Sequence, residues 1–204
     1  MNQPTPAPPR TEILFFDGFD DLDSIAPLEI LTAAGFPVRA VGFPGEASTV
    51  RSAHGLTIGL DGPIGEAPDL ILVPGGGWRD GSASGVRALS DGELPSLLAR
   101  LHARGTVVAS VCTGAMLLAA AGLLEGRPAV TNRIALEALA QSGAGVRADA
   151  RVVDDGSIVT CGGPAAGIDL ALRLVERFLG PGAATAAAER LEHERIGPTL
   201  VSSP

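Results

Sequence analysis

The 204-residue sequence contains no lysine and no tyrosine, and its 15 basic side chains are all arginine. Without a lysine amine, the chain cannot form a Schiff base or supply the phosphate-binding lysine of a P-loop. Without tyrosine, it has no phenol to act as an acid or base. The chemistry of the chain therefore has to come from other groups, chiefly thiols, carboxylates, imidazoles and hydroxyls.

Aromatic residues are also scarce, at 3% of the chain, although 46% of the residues are hydrophobic. We therefore expect alanine, valine, leucine and isoleucine to build the core. The length suits one domain with a sizeable core. The net charge of −8 argues against binding to nucleic acid or to an anionic membrane surface.

The chain has only two cysteines, Cys112 and Cys161, which indicates a reducing compartment and not a disulfide scaffold. No apolar segment precedes the proline-rich start, so we expect neither a signal peptide nor a membrane span, and a cytoplasmic location. We predict a disordered arm at residues 1–10, a single domain at 11–195 and a C-terminal tail at 196–204.

Short apolar runs alternate with helical patterns along the chain, which predicts an α/β sandwich with a largely parallel sheet. Strands are expected at 13–16, 38–43, 69–73 and before Cys112. Hairpins are expected at 50–60 and 152–160, and a single amphipathic helix at about 86–104. Ligands of such folds bind at the carboxyl ends of the strands.

Cys112 lies in the segment S-V-C-T-G-A-M-L-L, between a β-branched strand and an alanine-rich helix. This pattern predicts a nucleophile elbow, in which the side chain stands at a helix N-terminus that favours its thiolate form. The alternative is a buried cysteine that packs as a small hydrophobic residue, and the segment alone does not decide between them.

Three glycines, Gly75, Gly76 and Gly77, follow the strand at 69–73 after a single proline, Pro74. Exposed backbone N–H groups at this edge of the sheet suit an oxyanion or another anion. The alternative is an ordinary glycine turn.

A catalytic thiol needs a partner for its proton, and the three histidines are poorly placed for that role, so we expect them to be structural or at the surface. Asp23 follows the first strand at the same edge, and a buried carboxyl group can donate a hydrogen bond to sulfur. The alternative is that Asp23 or Ser24 caps a helix that has Pro27 in its first turn. Glu29 is a second candidate or a helix-surface charge, and Thr113 is a substrate-assisting or a capping residue.

The ordered motifs L-D-S-I-A-P-L-E-I-L, V-P-G-G, S-V-C-T-G-A-M-L-L-A-A-A-G-L-L, V-T-N and G-G-P-A-A-G-I-D resemble the ThiJ/PfpI superfamily, and within it the isocyanide (isonitrile) hydratase branch. The resemblance covers residues 12–192. It implies a flavodoxin-like three-layer sandwich, a homodimer, Cys112 as a strained nucleophile, Asp23 as its acidic partner and Thr113 as an assisting residue. The amides of Gly75 and Gly76 would face the site.

Two segments depart from the family pattern. Asn132 stands where the branch usually has histidine, and it can form hydrogen bonds but cannot act as a base. In the turn after Cys161, Pro164 removes an N–H group and Ala165 removes a hydroxyl group, which reshapes the pocket. Asn132 and Gly163 complete the candidate substrate-binding set with the three glycines after the strand at 69–73.

The sequence-based hypothesis is hydration of an organic isocyanide to an N-substituted formamide, through a thioimidate on Cys112, with Asp23 as acid and base. No metal or organic cofactor is expected. The alternatives are glyoxalase- or deglycase-like chemistry on reactive aldehydes, and a redox-sensing or ligand-binding module that uses Cys112.

Overall fold

The computed structural model describes residues 7–45, 47–79 and 84–202. Within these residues, an eight-stranded sheet has the order β12-β10-β11-β7-β6-β1-β2-β5, and every neighbouring pair is parallel except β10 and β11. The strands of this sheet are β1 (Thr11–Leu14), β2 (Val38–Gly42), β5 (Gly62–Pro63), β6 (Leu70–Val73), β7 (Val107–Ser110), β10 (Val152–Asp154), β11 (Ile158–Cys161) and β12 (Thr199–Val201). The predicted α/β fold with a mostly parallel central sheet is confirmed.

Two small sheets accompany the large one. The predicted hairpin at 50–60 is confirmed as the antiparallel strands β3 (Thr49–Arg51) and β4 (Thr57–Gly59). The hairpin at 152–160 is confirmed as β10 and β11. A parallel pair of two-residue strands, β8 (Pro128–Ala129) and β9 (Gly145–Val146), completes the set.

The helices flank the sheet. They are α1 (Asp21–Ala33), α2 (Val86–Leu89), α3 (Leu94–Ala103), α4 (Ala115–Ala120), α5 (Leu136–Gln141), α6 (Ala166–Leu179) and α7 (Pro181–Arg190). The chain passes from β1 through α1 to β2 in one direction across the sheet, and from β6 through α3 to β7 in the other. Because such crossovers are right-handed, α1 and α3 cover opposite faces.

The single helix predicted at about 86–104 is wrong, because the segment forms α2 and α3 with a break at 90–93. Gly92 lies in the break, and Pro95 lies in the first turn of α3. A proline at that position would clash with the carbonyl group four residues earlier if the helix ran through, so the chain ends one helix and begins another.

The two ends of the chain also differ from expectation. Thr199–Val201, placed in a trailing segment by the sequence, forms the edge strand β12 and pairs in parallel with β10. Arg10, at the end of the predicted disordered arm, pairs its guanidinium with Asp69 at 2.9 Å. Residues 1–6 of that arm and 203–204 of the tail lie outside the described residues.

The core consists mainly of aliphatic side chains from the central strands and from the helices that cover them, as the composition predicted. The order of the sheet reverses beside β1, between β6 and β2. In open α/β sheets a crevice forms outside the carboxyl ends of the strands at such a reversal. The segments after β1, β6 and β7, which carry Asp23, the three glycines and Cys112, therefore converge at this edge.

Candidate active site

Cys112 sits on a strained turn between β7 and α4. Its φ angle is +57°, in the left-handed region that L-residues rarely occupy, and a 3-10 turn over Cys112–Gly114 leads into the helix. Gly114 is required here because a Cβ atom would overlap the carbonyl oxygen of Val73. The predicted elbow geometry is therefore present.

Hydrogen bonds from two neighbouring segments hold the backbone of Cys112 in this strained conformation. Its N–H group donates to the carbonyl oxygen of Gly162 at 2.9 Å. Its own carbonyl oxygen accepts from Thr131 Oγ1 at 2.7 Å. This role of Thr131 was not predicted, since a threonine after a short strand carries no distinctive signal.

The side chain of Asp23 is fully buried in the first turn of α1, near the thiol. Its Oδ2 accepts the N–H of Gly75 at 2.9 Å. Its Oδ1 is buried, and no group in the described ranges forms a hydrogen bond of good geometry with it. The side chains of Asp23 and Cys112 lie within reach of each other, and their interaction offsets a small part of the rise in the pKa of Asp23 that burial causes.

The helix cap predicted at Asp23 or Ser24 is wrong, because the N-cap is Asp20, whose Oδ1 accepts the N–H of Leu22 at 3.2 Å. The helix begins earlier than expected, and Pro27 lies inside it instead of in its first turn. Since Asp20 caps the helix, the carboxyl group of Asp23 is left to face the site.

Burial raises the pKa of Asp23 from 3.8 to about 7, and the negative charge of Asp20 adds to this rise. Burial also raises the pKa of the Cys112 thiol to about 12, with a further contribution from the charge of Asp23. The expected thiolate is therefore wrong for Cys112 in its resting state, because the side chain is only 6% exposed and burial raises the pKa of its thiol.

The two groups are best treated as one coupled pair. It loses a first proton near pH 7 and keeps the second to strongly alkaline pH. Between these limits the pair carries a single negative charge. The remaining proton can be shared between the sulfur and the carboxyl group.

The backbone N–H groups of Gly75 and Gly76 donate hydrogen bonds to side chains of the site. Gly75 binds Asp23, and the N–H of Gly76 donates to Thr113 Oγ1 at 3.1 Å. The structure thus gives these two glycines a role in positioning the acid and the threonine. Gly77, with a φ of +60°, instead lines a neighbouring cavity with Gly18 and Arg51.

Asn132 contacts the sulfur, and Gly163 lies next to Asn132. Asn132 Nδ2 donates to Cys112 Sγ at 3.1 Å. A Cβ atom on Gly163 would lie 3.2 Å from Nδ2, so the glycine leaves room for the amide group. Gly163 and Thr131 also line a cavity of about 500 Å³ next to this wall of the site.

We expect Gly75→Ala to disrupt the site strongly. The new Cβ would lie 2.6 Å from Thr113 Oγ1, 2.7 Å from Thr113 N and 2.8 Å from Asp23 Oδ2. Such overpacking costs about 1–3 kcal/mol of unfolding free energy, and it would displace the acid. Urea denaturation and alkylation of Cys112 measure the two effects.

Gly182→Ala in α7 is the matched control, since nothing lies within 4 Å of its added Cβ atom. It should leave alkylation unchanged and keep or raise stability. Equal behaviour of the two alanine variants would contradict the packing seen around Gly75.

The other sequence candidates have partners away from the thiol. Glu29 is exposed and pairs with Arg190 at 3.3 Å, which makes it a helix-surface charge. The three histidine rings also contact other side chains, as expected for structural or surface residues: His54 to Asp21 at 2.6 Å, His102 to Ser157 at 2.9 Å and His193 to Asp169 at 3.0 Å. Cys161 is fully buried at the end of β11, and burial raises the pKa of its thiol.

Within residues 7–45, 47–79 and 84–202, no three histidine, cysteine, aspartate or glutamate side chains are grouped so as to hold a metal ion. Across the same part of the chain, none of the helices combines the length and the apolar character needed to cross a bilayer.

Comparison with known proteins identifies relatives over most of the chain. An isonitrile hydratase of Pseudomonas putida is 34% identical over 195 residues, which cover 94% of this chain and 81% of the relative. A deglycase of Thermococcus kodakarensis is 30% identical over 152 residues, covering 72% and 86%. A crystal structure of a ThiJ/PfpI family protein from Pseudomonas syringae superposes with a TM-score of 0.80 at 28% identity, covering 96% of this chain and 79% of that one.

The model of the DJ-1/PfpI family matches residues 10–177, which include the acid, the glycine turn, the elbow and Asn132. This match agrees with the fold and with the isonitrile hydratase similarity. The chain therefore belongs to the DJ-1/PfpI family.

Proposed function

We propose that this protein is a cysteine-dependent hydratase that adds water to an organic isocyanide and releases an N-substituted formamide. The observation that carries the proposal is a thiol on a strained elbow next to a buried carboxyl group whose pKa lies near 7. The isonitrile hydratase relative supports this choice of substrate class. Cys112 acts as the nucleophile and Asp23 as the acid and base.

The reaction begins with the singly charged pair, in which Asp23 is a carboxylate and Cys112 is a thiol. Transfer of the thiol proton to Asp23 gives the reacting form, a Cys112 thiolate beside a protonated Asp23. The terminal carbon of an isocyanide accepts both a nucleophile and a proton. The sulfur forms a bond to this carbon, and Asp23 transfers its proton to the same atom. The product is a thioimidate, with the nitrogen still doubly bonded to carbon and Asp23 now a carboxylate.

Water then attacks the thioimidate carbon. Asp23 accepts a proton from the water and passes it to the nitrogen, which leaves a tetrahedral intermediate with one hydroxyl group. The hydroxyl proton moves to Asp23 as the C=O bond forms and the C–S bond breaks. The formamide departs, and both the thiolate and the protonated acid are restored.

Thr113 completes the proposed catalytic set. Its backbone N–H lowers the pKa of the Cys112 thiol, and its hydroxyl oxygen accepts from Gly76. It therefore stabilises the negative sulfur from the elbow itself, next to the position of the substrate carbon.

A second candidate is a deglycase- or glyoxalase-like activity on a reactive aldehyde. The observation that favours it is the 30% identity to the Thermococcus kodakarensis deglycase. Among the described residues no histidine contacts the Cys112 sulfur, which disfavours forms of that chemistry that need a cysteine–histidine pair. A redox-sensing or ligand-binding role for the same thiol is the third reading.

The test is to incubate the purified protein separately with a simple aryl isocyanide and with methylglyoxal, and to follow formamide and lactate by chromatography. We expect formamide to form in proportion to enzyme concentration. Methylglyoxal consumption without formamide would replace the proposal with the second candidate. No turnover of either, with selective peroxide oxidation of Cys112, would favour the sensor.

We also propose that the protein works as a cytoplasmic homodimer on a small-molecule substrate, without a cofactor. The apolar surface that we propose for contact with the second copy includes Leu22 at the start of α1 and Leu56 in the β3–β4 hairpin. Both side chains are more than 40% exposed. The contact between Asp21 and His54 holds the two elements together. Light scattering coupled to gel filtration would reject the dimer if the mass corresponded to one chain of 20.6 kDa.

A further inference from the structure

The amide group of Asn132 faces the sulfur of Cys112 in an orientation that the local structure sets. Its Oδ1 accepts the N–H of Ile134 at 3.1 Å and caps the 3-10 turn Arg133–Ala135. Because Oδ1 already accepts this hydrogen bond, the NH₂ end of the amide group faces the sulfur, with Nδ2 at 3.1 Å from Sγ.

The segment around Asn132 is tied to the elbow at a second point. Thr131 Oγ1 donates to the carbonyl oxygen of Cys112, so consecutive side chains bind the backbone and the sulfur of the same residue. Gly163 leaves the space that the amide group occupies. These contacts hold the donor in place before any substrate arrives, which is the condition for effective electrostatic stabilisation.

We propose that Asn132 is a catalytic hydrogen-bond donor that stabilises the thiolate form of Cys112 during the reaction, and that it is not a substrate-binding residue. This inference rests on the proposed function only in taking Cys112 as the nucleophile. A carboxamide NH₂ group donates and cannot accept, so it binds a negative sulfur more strongly than a neutral thiol. It also carries no charge, so it adds no ionisation of its own to the site.

The charges around the sulfur explain why such a donor matters. Burial raises the pKa of the Cys112 thiol most, and the charges of Asp23 in α1 and of Asp20 in the loop before it raise it further. On the β11 side, the charges of Asp23 and Arg151 both act on the Cys161 thiol, and the backbone of Cys112 interacts with it. Asn132 and the N–H of Thr113 are the groups that lower the pKa of Cys112.

The test uses two variants that keep the helix cap. Asn132→Asp preserves the shape and the capping oxygen but replaces the donor with a second oxygen. Asn132→Ser also caps, but its side chain is too short to bridge to the sulfur. The rate constant for alkylation of Cys112 by iodoacetamide is measured from pH 6 to 10, with the modified peptide mapped by mass spectrometry and thermal unfolding recorded for each variant.

We expect Asn132→Ser to slow alkylation at neutral pH by about tenfold, the usual effect of losing a hydrogen bond to a charged group, and to move the pH profile upward. Asn132→Asp should slow it more. Folded variants that react within twofold of wild type would overturn the proposal. If the serine variant fails to fold, the aspartate variant decides the question by the same criterion.

Kinetics with an isocyanide separate this role from substrate binding. Loss of the donor should lower kcat and leave KM nearly unchanged, whereas a raised KM with unchanged kcat would overturn the proposal. The alkylation assay needs no isocyanide. A wild-type protein that reacts with iodoacetamide but turns over no isocyanide would therefore reject the proposed function alone.

Discussion

Cys112→Ala is expected to abolish isocyanide turnover, with kcat falling by a factor on the order of 10⁴ or more, as for the loss of other catalytic nucleophiles. The thioimidate cannot form without the sulfur, and no other described side chain can replace it: Cys161 is fully buried at the end of β11. Formamide production measured over several hours gives the residual rate.

Cys161→Ala is the matched control for this change. It removes the second buried thiol but leaves the elbow, the acid and Asn132 in place, so we expect activity within a few-fold of wild type and a stability loss of about 1 kcal/mol. Alanine adds no atom to the packed elbow, so we expect Cys112→Ala to stay folded, which thermal unfolding would check. Substantial formamide production by folded Cys112→Ala would reject the nucleophile assignment.

Asp23→Asn should lower kcat/KM by about 10²–10⁴-fold, the range expected for loss of a general acid–base group. The amide keeps the size of the side chain and an oxygen for the N–H of Gly75, but it can neither deliver a proton to the isocyanide carbon nor take one from water. Steady-state rates across pH 5–9 measure the effect.

The pH dependence of the wild type gives an independent check. The doubly protonated pair has no nucleophile, and loss of one proton near pH 7 produces the reactive form. Wild-type kcat/KM should therefore rise tenfold per pH unit below pH 7 and level off above it. In Asp23→Asn the rise should move to alkaline pH, and an unchanged inflection near pH 7 would contradict the assignment.

Stability distinguishes lost chemistry from lost folding. The pKa of Asp23 is higher in the folded protein than its ordinary value of 3.8, so the folded state binds this proton more tightly. The resulting stability is present below pH 4 and is lost as the pH rises through 7; the charged, buried carboxylate costs up to about 4 kcal/mol at pH 8. Asp23→Asn avoids this cost, so at pH 8 we expect it to unfold at a temperature equal to or above that of wild type.

Much of the fold followed from short-range patterns. The valines before Cys112, Gly114 and the run of alanines after it predict a strand, a tight turn and a helix, and these are present. The break between α2 and α3 was missed because the leucine spacing outweighed Pro95 in the pattern. The edge strand Thr199–Val201 was missed because so short a strand exists only through its pairing with β10.

Most residues of the site could be predicted from the sequence, but most of the contacts between them could not. The sequence placed Cys112 and Asp23 at the same edge of the sheet. It did not predict that the amides of Gly75 and Gly76 donate to Asp23 and Thr113, since the first of these bonds joins residues 52 positions apart. It also did not predict the contact of Asn132 with the sulfur, because the motif V-T-N does not determine the orientation of the amide group.

The sequence by itself determined the types and the order of the elements, and it brought the reactive residues to the carboxyl ends of neighbouring strands. It could do so because the spacing of hydrophobic residues and the positions of glycines act over only a few residues. Only the tertiary structure decided the partner of each group and the direction in which the pKa of Cys112 moves. Those properties depend on burial and on hydrogen bonds between distant segments, which exist only once the whole sheet has assembled.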